Sequence, residues 1–232
     1  MKKKILISTG GSGGHVIPAE IINDHLKDNF EIFFSTDIRG LKYLKLDKSH
    51  TFIVNTPNLK INLFLPLKLI KMFFLVFLSI YHLIKNKITK VISTGGYMSL
   101  PVLLGAKILG LKIYLLEPNI VLGRANKFYL NFSEKIFCYT NLLINLPKRF
   151  SNKINIIYPL VFKKYYERKI TTSKKKNFCI LVVGGSQGAH IFNTLFKDVN
   201  LEIFKKYSIK VIQQTDVDNI ENLKRFYDEQ NI

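Results

Sequence analysis

Residues 4–15 read KILISTGGSGGH. An apolar run of one strand's length leads without a polar spacer into glycines, then into a histidine and an amphipathic stretch. A strand buried on both faces of a parallel sheet is almost continuously apolar. Glycines directly behind it permit a tight, positive-φ turn and bring backbone amides close to a ligand at the N-terminus of the next helix. The residues fit neither GxGxxG nor GxxxxGK[ST], so the turn is neither a classical dinucleotide fingerprint nor a P-loop. The spacing predicts a strand over 4–9 and a helix over 15–27, with Ile17, Ile21, Ile22 and Leu26 as its buried stripe.

The same unit repeats outward from there. Strands are predicted at 30–35 (FEIFFS), 51–54 (TFIV), 90–94 (KVIST), 112–116 (KIYLL), 135–139 (KIFCY) and 154–157, with a helix over 99–109. Such alternation implies a parallel sheet with helices on both faces. Residues 163–176 (KKYYERKITTSKKK) are polar and basic and read as a linker. The alternation then restarts with FCILVV at 178–183, GGSQGA at 184–189, a helix over 187–199, a strand over 207–213 and a helix over 217–230. The expected fold is α/β, with two doubly wound Rossmann-like domains of which the second is incomplete. The divisions are 1–160, a linker over 161–176, and 177–232. Two parallel strands alone cannot cover both their faces.

A hydrophobic content of 47% supports a sizeable core and excludes a disordered chain. The net charge is +19, from 35 Lys+Arg against 16 Asp+Glu, which favours anionic partners. No nucleic-acid recognition motif accompanies that charge, so nucleic acid is not an expected partner. Cys138 and Cys179 sit in strand-like apolar runs and read as two buried thiols. No CxxC or Cys/His cluster suggests a metal, and no cofactor is expected. The N-terminal apolar run is too short for a signal peptide, which points to the cytoplasm.

Three glycine turns, at 9–14, 95–96 and 184–188, fall at predicted carboxyl ends of strands, the edge where open α/β sheets bind ligands. His15 belongs to the first turn of its helix, beside the first loop. A neutral imidazole there can take a proton from a sugar hydroxyl, or it can serve only as a hydrogen-bonding group. Glu117 and Asn119 follow another strand. Glu117 can act as a base or orient an acceptor hydroxyl, and it can equally be a structural carboxylate that caps the next helix.

Residues 61–84 read INLFLPLKLIKMFFLVFLSIYHLI. The charge-free run 72–84 is shorter than the ~20 residues a spanning helix needs. Pro66 marks a break or a helix start, and Lys68, Lys71, Lys85 and Lys87 flank the run. A helix lying in the membrane interface, with lysines on anionic headgroups, fits this arrangement; an ordinary buried helix is the alternative, and a true span is disfavoured because a helix inside a βαβ unit must return to the sheet.

GGSGGHVIP at 10–18, STGGYMSLP at 93–101, LEPNIVLGRANK at 116–127 and VVGGSQGA at 182–189 resemble, in order and spacing, the signatures of the MurG family of glycosyltransferases. The resemblance covers essentially the whole chain. It implies a GT-B fold and inverting transfer of N-acetylglucosamine from UDP-N-acetylglucosamine to lipid I, giving lipid II for peptidoglycan. It also implies peripheral attachment to the cytoplasmic face of the cell membrane. Residues 61–87 resemble the family's membrane patch in character, with Lys68, Lys71, Phe73, Phe74, Phe77 and Lys85 as contacts. Ser12, Gly13 and Gly14 match the loop near the donor and acceptor diphosphates, and His15 matches a histidine implied in catalysis or acceptor positioning. Asn119 matches a substrate-site asparagine, and Ser186 and Gln187 match a loop that contacts the donor diphosphate. Glu117-Pro118-Asn119 stands where the family has Glu-Gln-Asn, and IYPLVFK at 157–163 replaces GNPVR, with Lys163 but no arginine. The family's second domain is longer than 177–232, which implies a truncated enzyme or a second chain that supplies the remainder. The alternative function is a non-catalytic membrane-surface module on the acceptor-domain scaffold.

Overall fold

A computed structural model describes residues 2–45, 50–58, 61–166, 178–184 and 189–230. The chain divides into two compact units, Met1–Arg168 and Lys169–Ile232.

In chain order, unit 1 contains β1 (Lys3–Ser8), α1 (Gly13–Leu26), β2 (Phe30–Thr36), the single turn α2 (Ile38–Leu41), β3 (Thr51–Ile53) and α3 (Leu65–Lys85). There follow β4 (Lys90–Ser93), α4 (Leu100–Ile108), β5 (Lys112–Glu117), α5 (Arg124–Tyr129), β6 (Lys135–Cys138), β7 (Ile154–Ile156) and the short α6 (Lys163–Tyr166). The seven strands are all parallel, in the order β3-β2-β1-β4-β5-β6-β7. The order reverses between β1 and β4.

Successive strand residues point to opposite faces, so β1 feeds two cores. Ile5 and Ile7 pack with Ile32, Phe34 and Ala19 of α1, with Ile22 and Leu26 against that cluster. Leu6 packs on the other side with Phe33, Val91, Ile113 and Leu115, beneath Leu83 of α3, Val102, Leu103 and Ala106 of α4, and Tyr129 of α5. A sheet covered on both faces explains why its central strands are apolar at every position.

The buried stripe of α1 differs from the predicted one. Val16, Ala19, Glu20 and Ile21 are buried, whereas Ile17 is 47% exposed. The helix begins at Gly13, and the small Ala19 takes the central position over β1 and β2. Ile17 therefore falls beside the contact, where it and Tyr43 lie over Gly13.

Pro66 starts α3, as a residue without an N–H can in a first turn. The helix is long and apolar enough to cross a membrane, yet it connects two strands of one sheet. Met72, Val76, Ser79 and Leu83 form its buried side, and Gly105 of α4 lets Ser79 and Ile80 approach closely. Its other side is exposed: Ile70, Phe73, Phe74, Phe77, Tyr81 and Ile84 recur at helical spacing. The helix is thus not the buried core element that its composition also allowed.

Unit 2 contains β8 (Phe178–Val182), α7 (Ala189–Phe204), β9 (Ile209–Gln213) and α8 (Ile220–Glu229), with β8 and β9 parallel. Cys138 of unit 1 is buried as expected, and burial together with the nearby Glu117 charge pushes its thiol up to about 11. Cys179 is exposed, contrary to expectation. It shares a sheet face with Leu181, Lys210 and Ile212, all exposed, so an apolar-looking strand does not bury its thiol here.

Candidate active site

Four neighbouring strands, β2, β1, β4 and β5, end in polar turns along one edge of the unit 1 sheet. They straddle the reversal in strand order, the position at which open α/β sheets bind ligands.

At the end of β1 the chain turns through Gly11, whose φ of +83° suits glycine. Helix α1 then starts with Ser12 as N-cap, Gly13 and Gly14. The Ser12 side chain makes no capping bond, and no acceptor among the described residues is bonded to the amides of Gly13 and Gly14. These amides sit at the positive end of a 14-residue helix, which suits an anionic group. Ser12 and Gly14 are exposed and Gly13 is buried.

His15 is half-buried, and its Nδ1 lies 2.8 Å from the carbonyl oxygen of Thr94 at the end of β4. A carbonyl only accepts, so Nδ1 carries the proton, and in the neutral ring the lone pair is on Nε2. Thr94 is itself tied to β1: its amide donates to the Ser8 carbonyl at 3.1 Å, and its hydroxyl donates to Thr9 Oγ1 at 2.8 Å. Gly95 has φ +96°, and a β-carbon there would stand 3.2 Å from His15 Cε1 and 3.3 Å from Nδ1. The second glycine turn therefore makes room for the imidazole.

Glu117, at the end of β5, is 2% exposed. Its Oε1 accepts from the amide and Nδ2 of Asn119 at 3.2 and 2.9 Å, and its Oε2 from the Gly123 amide at 2.8 Å and Asn126 Nδ2 at 3.0 Å. Four donors fill the accepting capacity of a carboxylate. Of the two roles open in the sequence, this geometry matches the structural one: Glu117 binds the loop 119–123 and the start of α5. Asn119 is exposed and held by that carboxylate.

Three residues of this edge carried no role in the sequence reading. Asn126 is buried, and its Nδ2 also donates to the Leu116 carbonyl at 3.0 Å. Its Oδ1 has no partner among the described residues. The same Nδ2 lies 3.6 Å from the position a β-carbon would take at Gly95, so Asn126 joins the Glu117 cluster to the His15 cluster. Asp37, 2% exposed, follows β2, and its Oδ1 accepts from the amides of Gly11 and Gly40 at 2.7 and 2.9 Å. Arg39 Nε donates to Asp37 Oδ2 at 2.9 Å. Burial pushes the Asp37 carboxyl up, but the two amides and the guanidinium outweigh it and hold it below its ordinary value. The sequence signal was an aspartate directly after a strand and three residues before a glycine, a turn-forming arrangement.

Lys163, near the position of the family's arginine but not equivalent to it, is bound elsewhere. Its amide donates to Asp24 Oδ2 at 2.9 Å and its Nζ to Asp28 Oδ2, both at the far end of α1. Ser186 and Gln187 lie outside the described residues. Among the described residues no group of three or more His, Cys, Asp and Glu could hold a metal ion.

The apolar side of α3 brings together Phe73, Phe74 and Phe77, all exposed, with the rings of Phe73 and Phe77 4.7 Å apart. Lys71 and Lys85 are exposed, and Lys85 lies over the Tyr81 ring. Lys68 is half-buried, and its Nζ donates to Asn62 Oδ1 at 3.1 Å. Ile61, Leu63 and Phe64 extend the apolar surface ahead of the helix.

Residues 5–138 match the model of the glycosyltransferase family 28 N-terminal domain. The chain is 49% identical over 233 residues to a protein of Pelagibacter ubique named UDP-N-acetylglucosamine--N-acetylmuramyl-(pentapeptide) pyrophosphoryl-undecaprenol N-acetylglucosamine transferase; the match covers all of this chain and 65% of that protein. A Rickettsia massiliae protein of the same name is 30% identical, with 99% of this chain and 68% of the relative covered. The chain thus spans about two thirds of the length of these relatives. Among solved structures, MurG of Acinetobacter baumannii superposes with a TM-score of 0.71 at 21% identity, covering 98% of this chain and 65% of that one. A UDP-GlcNAc 2-epimerase of Methanocaldococcus jannaschii gives 0.59 at 17% identity, covering 100% and 70%. These two likenesses speak for the fold.

Proposed function

The chain belongs to glycosyltransferase family 28, and on that premise we propose that it carries the acceptor half, and the beginning of the donor half, of an enzyme that transfers N-acetylglucosamine from UDP-N-acetylglucosamine to lipid I. The names of the Pelagibacter and Rickettsia relatives support the substrates. The observation that carries the chemistry is the bond between His15 Nδ1 and the Thr94 carbonyl. It leaves Nε2 as the proton acceptor beside a loop of anion-binding amides.

In the proposed reaction the acceptor hydroxyl attacks the anomeric carbon of the donor sugar with inversion, and Nε2 of His15 takes its proton. The bond from the anomeric carbon to the donor diphosphate breaks, and UDP departs with the electron pair. The amides of Gly13 and Gly14 stabilise diphosphate charge, a role backbone donors perform without reorganisation. Glu117 acts as a positioning residue that holds Asn119 and Asn126, not as the base. The exposed side of α3 rests in the interface of the cytoplasmic membrane leaflet, in line with its phenylalanines and flanking lysines.

The test is transfer of labelled N-acetylglucosamine to a lipid I analogue in anionic vesicles. The 232-residue chain is assayed alone and with the separately expressed remaining segment of the Pelagibacter relative. Transfer in either arrangement, lost in His15→Ala, is expected. Vesicle binding without transfer in any arrangement would leave a membrane-surface binding module in place of the enzyme.

A further inference from the structure

Arg39 has no part in the reaction just described. It lies in α2, on the β2 side of the glycine loop. Its guanidinium meets three side chains: Nε donates to Asp37, Nη2 reaches the Met98 sulfur at 3.4 Å, and the Tyr97 hydroxyl also interacts with it. The side chain is otherwise 60% exposed. Both amide hydrogen bonds to Asp37 go to Oδ1, and Arg39 is the partner of Oδ2 in that buried carboxylate.

What the pair does fix is position. One carboxylate holds the Gly11 amide with one oxygen and the Arg39 guanidinium with the other. The cation therefore moves with the glycine loop, and a β-carbon at Gly11 would stand only 4.0 Å from Nη2. Guanidinium has five N–H donors in a planar fork, and those not turned to Asp37, Met98 and Tyr97 remain for a ligand. A pre-positioned fork beside unbonded helix amides is suited to phosphoryl oxygens, which it can grip in pairs.

We propose that Arg39 binds a diphosphate on the loop formed by residues 11–14, and that Asp37 is its positioning residue. The inference rests on the reading of that loop as part of the transferase site. Two diphosphates are compatible with this chemistry, that of the lipid-linked acceptor and that of the nucleotide donor.

The experiment is calorimetric titration of the full chain with inorganic pyrophosphate, a short-chain prenyl diphosphate in detergent, and UDP. The variants are Arg39→Gln, Arg39→Lys, Asp37→Asn and Lys112→Gln. Lys112 is an exposed cation at the opposite end of the strands and controls for loss of one positive charge. Arg39→Gln is expected to weaken pyrophosphate binding by about tenfold or more, the loss that goes with a charge-assisted pair. Arg39→Lys keeps the charge but not the fork and should lose several-fold, as should Asp37→Asn; Lys112→Gln should stay within about twofold. Whichever of the prenyl diphosphate and UDP shows the same dependence is the bound substrate. Equal effects of Arg39→Gln and Lys112→Gln, no effect of either Arg39 variant, or no binding by the unaltered chain would each overturn the proposal. Arg39→Lys keeps the test open should Arg39→Gln fold poorly. Binding that depends on Arg39 in a chain inactive in every transfer assay would count against the transferase reading and not against this site.

Discussion

Nδ1 of His15 and the carbonyl oxygen of Thr94 lie 2.8 Å apart, although 79 residues separate them in the chain. The bond ties the first turn of α1 to the end of the neighbouring strand β4 and sets the imidazole's tautomer. His15→Asn can keep an amide donor near that carbonyl, but it supplies no base at the Nε2 position. Turnover should therefore fall by about 10²–10⁴, the usual contribution of a general base. The KM for the nucleotide sugar should change by less than about threefold, because the diphosphate contacts are untouched. Steady-state kinetics of the transfer reaction decide the matter. Parallel losses in turnover and donor affinity would make His15 a binding residue.

Gly95→Ala tests the same placement from the other strand. The new β-carbon would press on the His15 ring at 3.2 Å, at a φ of +96° that alanine tolerates poorly. A stability loss of about 1–2 kcal/mol, from backbone strain, should accompany a larger relative loss of turnover. A variant as active as the parent would mean that the ring position is not critical.

Glu117→Gln separates the two roles that the sequence left open. The amide nitrogen that replaces one oxygen faces donors instead of accepting from them: Asn119 on one side, Gly123 and Asn126 on the other. A buried network broken in this way should cost about 2–3 kcal/mol, or ~5–10 °C in a melt of a unit this size. A variant with an unchanged melting temperature and abolished turnover would restore Glu117 as the base.

The parallel sheet and the candidate-site edge were legible because the central strands are buried on both faces and two of them, β1 and β4, lead into glycine turns, a signal that survives without neighbours. His15 was legible for the same reason, since the helix start placed it. Asp37 and Asn126 were not, because their roles come from contacts to Gly11 and Glu117 across the sheet edge, 26 and 9 residues away. The exposure of Ile17 and Cys179 was missed because apolar sequence does not say which side of an element finds a partner. The α3 helix shows the converse: its lysine flanks hinted at an open face, and only its packing against α4 fixed which face that is.

Asp37 makes the glycine loop acid-sensitive. Its carboxyl is held below the ~3.9 of an unfolded chain. A carboxyl depressed in the folded state contributes stability that is present in full above the unfolded value and is lost as pH falls through the folded value. Urea melts should thus show unfolding free energy rising with pH up to about 4–5 and then levelling off. Asp37→Asn should flatten that rise. Asp24, lowered mainly by its hydrogen bond from Lys27, and Asp28, lowered mainly by that from Lys163, act in the same direction, so part of the slope should persist. An unaltered slope would mean that Asp37 is equally depressed in the unfolded chain.

The exposed side of α3 yields the remaining test. Phe73 and Phe77 are 63% and 55% exposed and their rings pack on each other, so changing both to serine should leave the melting temperature within about 2 °C. The same change should greatly weaken attachment to vesicles, since each phenylalanine withdrawn from an apolar phase forfeits about 1.5–3 kcal/mol. Lys71→Gln with Lys85→Gln should weaken attachment to anionic vesicles by about 1 kcal/mol per lysine and have little effect on neutral ones, with added salt reproducing the loss. Flotation at several salt concentrations measures both contributions. If the phenylalanine variant floats as well as the parent, the apolar side of α3 meets something other than lipid, and the lysines alone account for any vesicle binding.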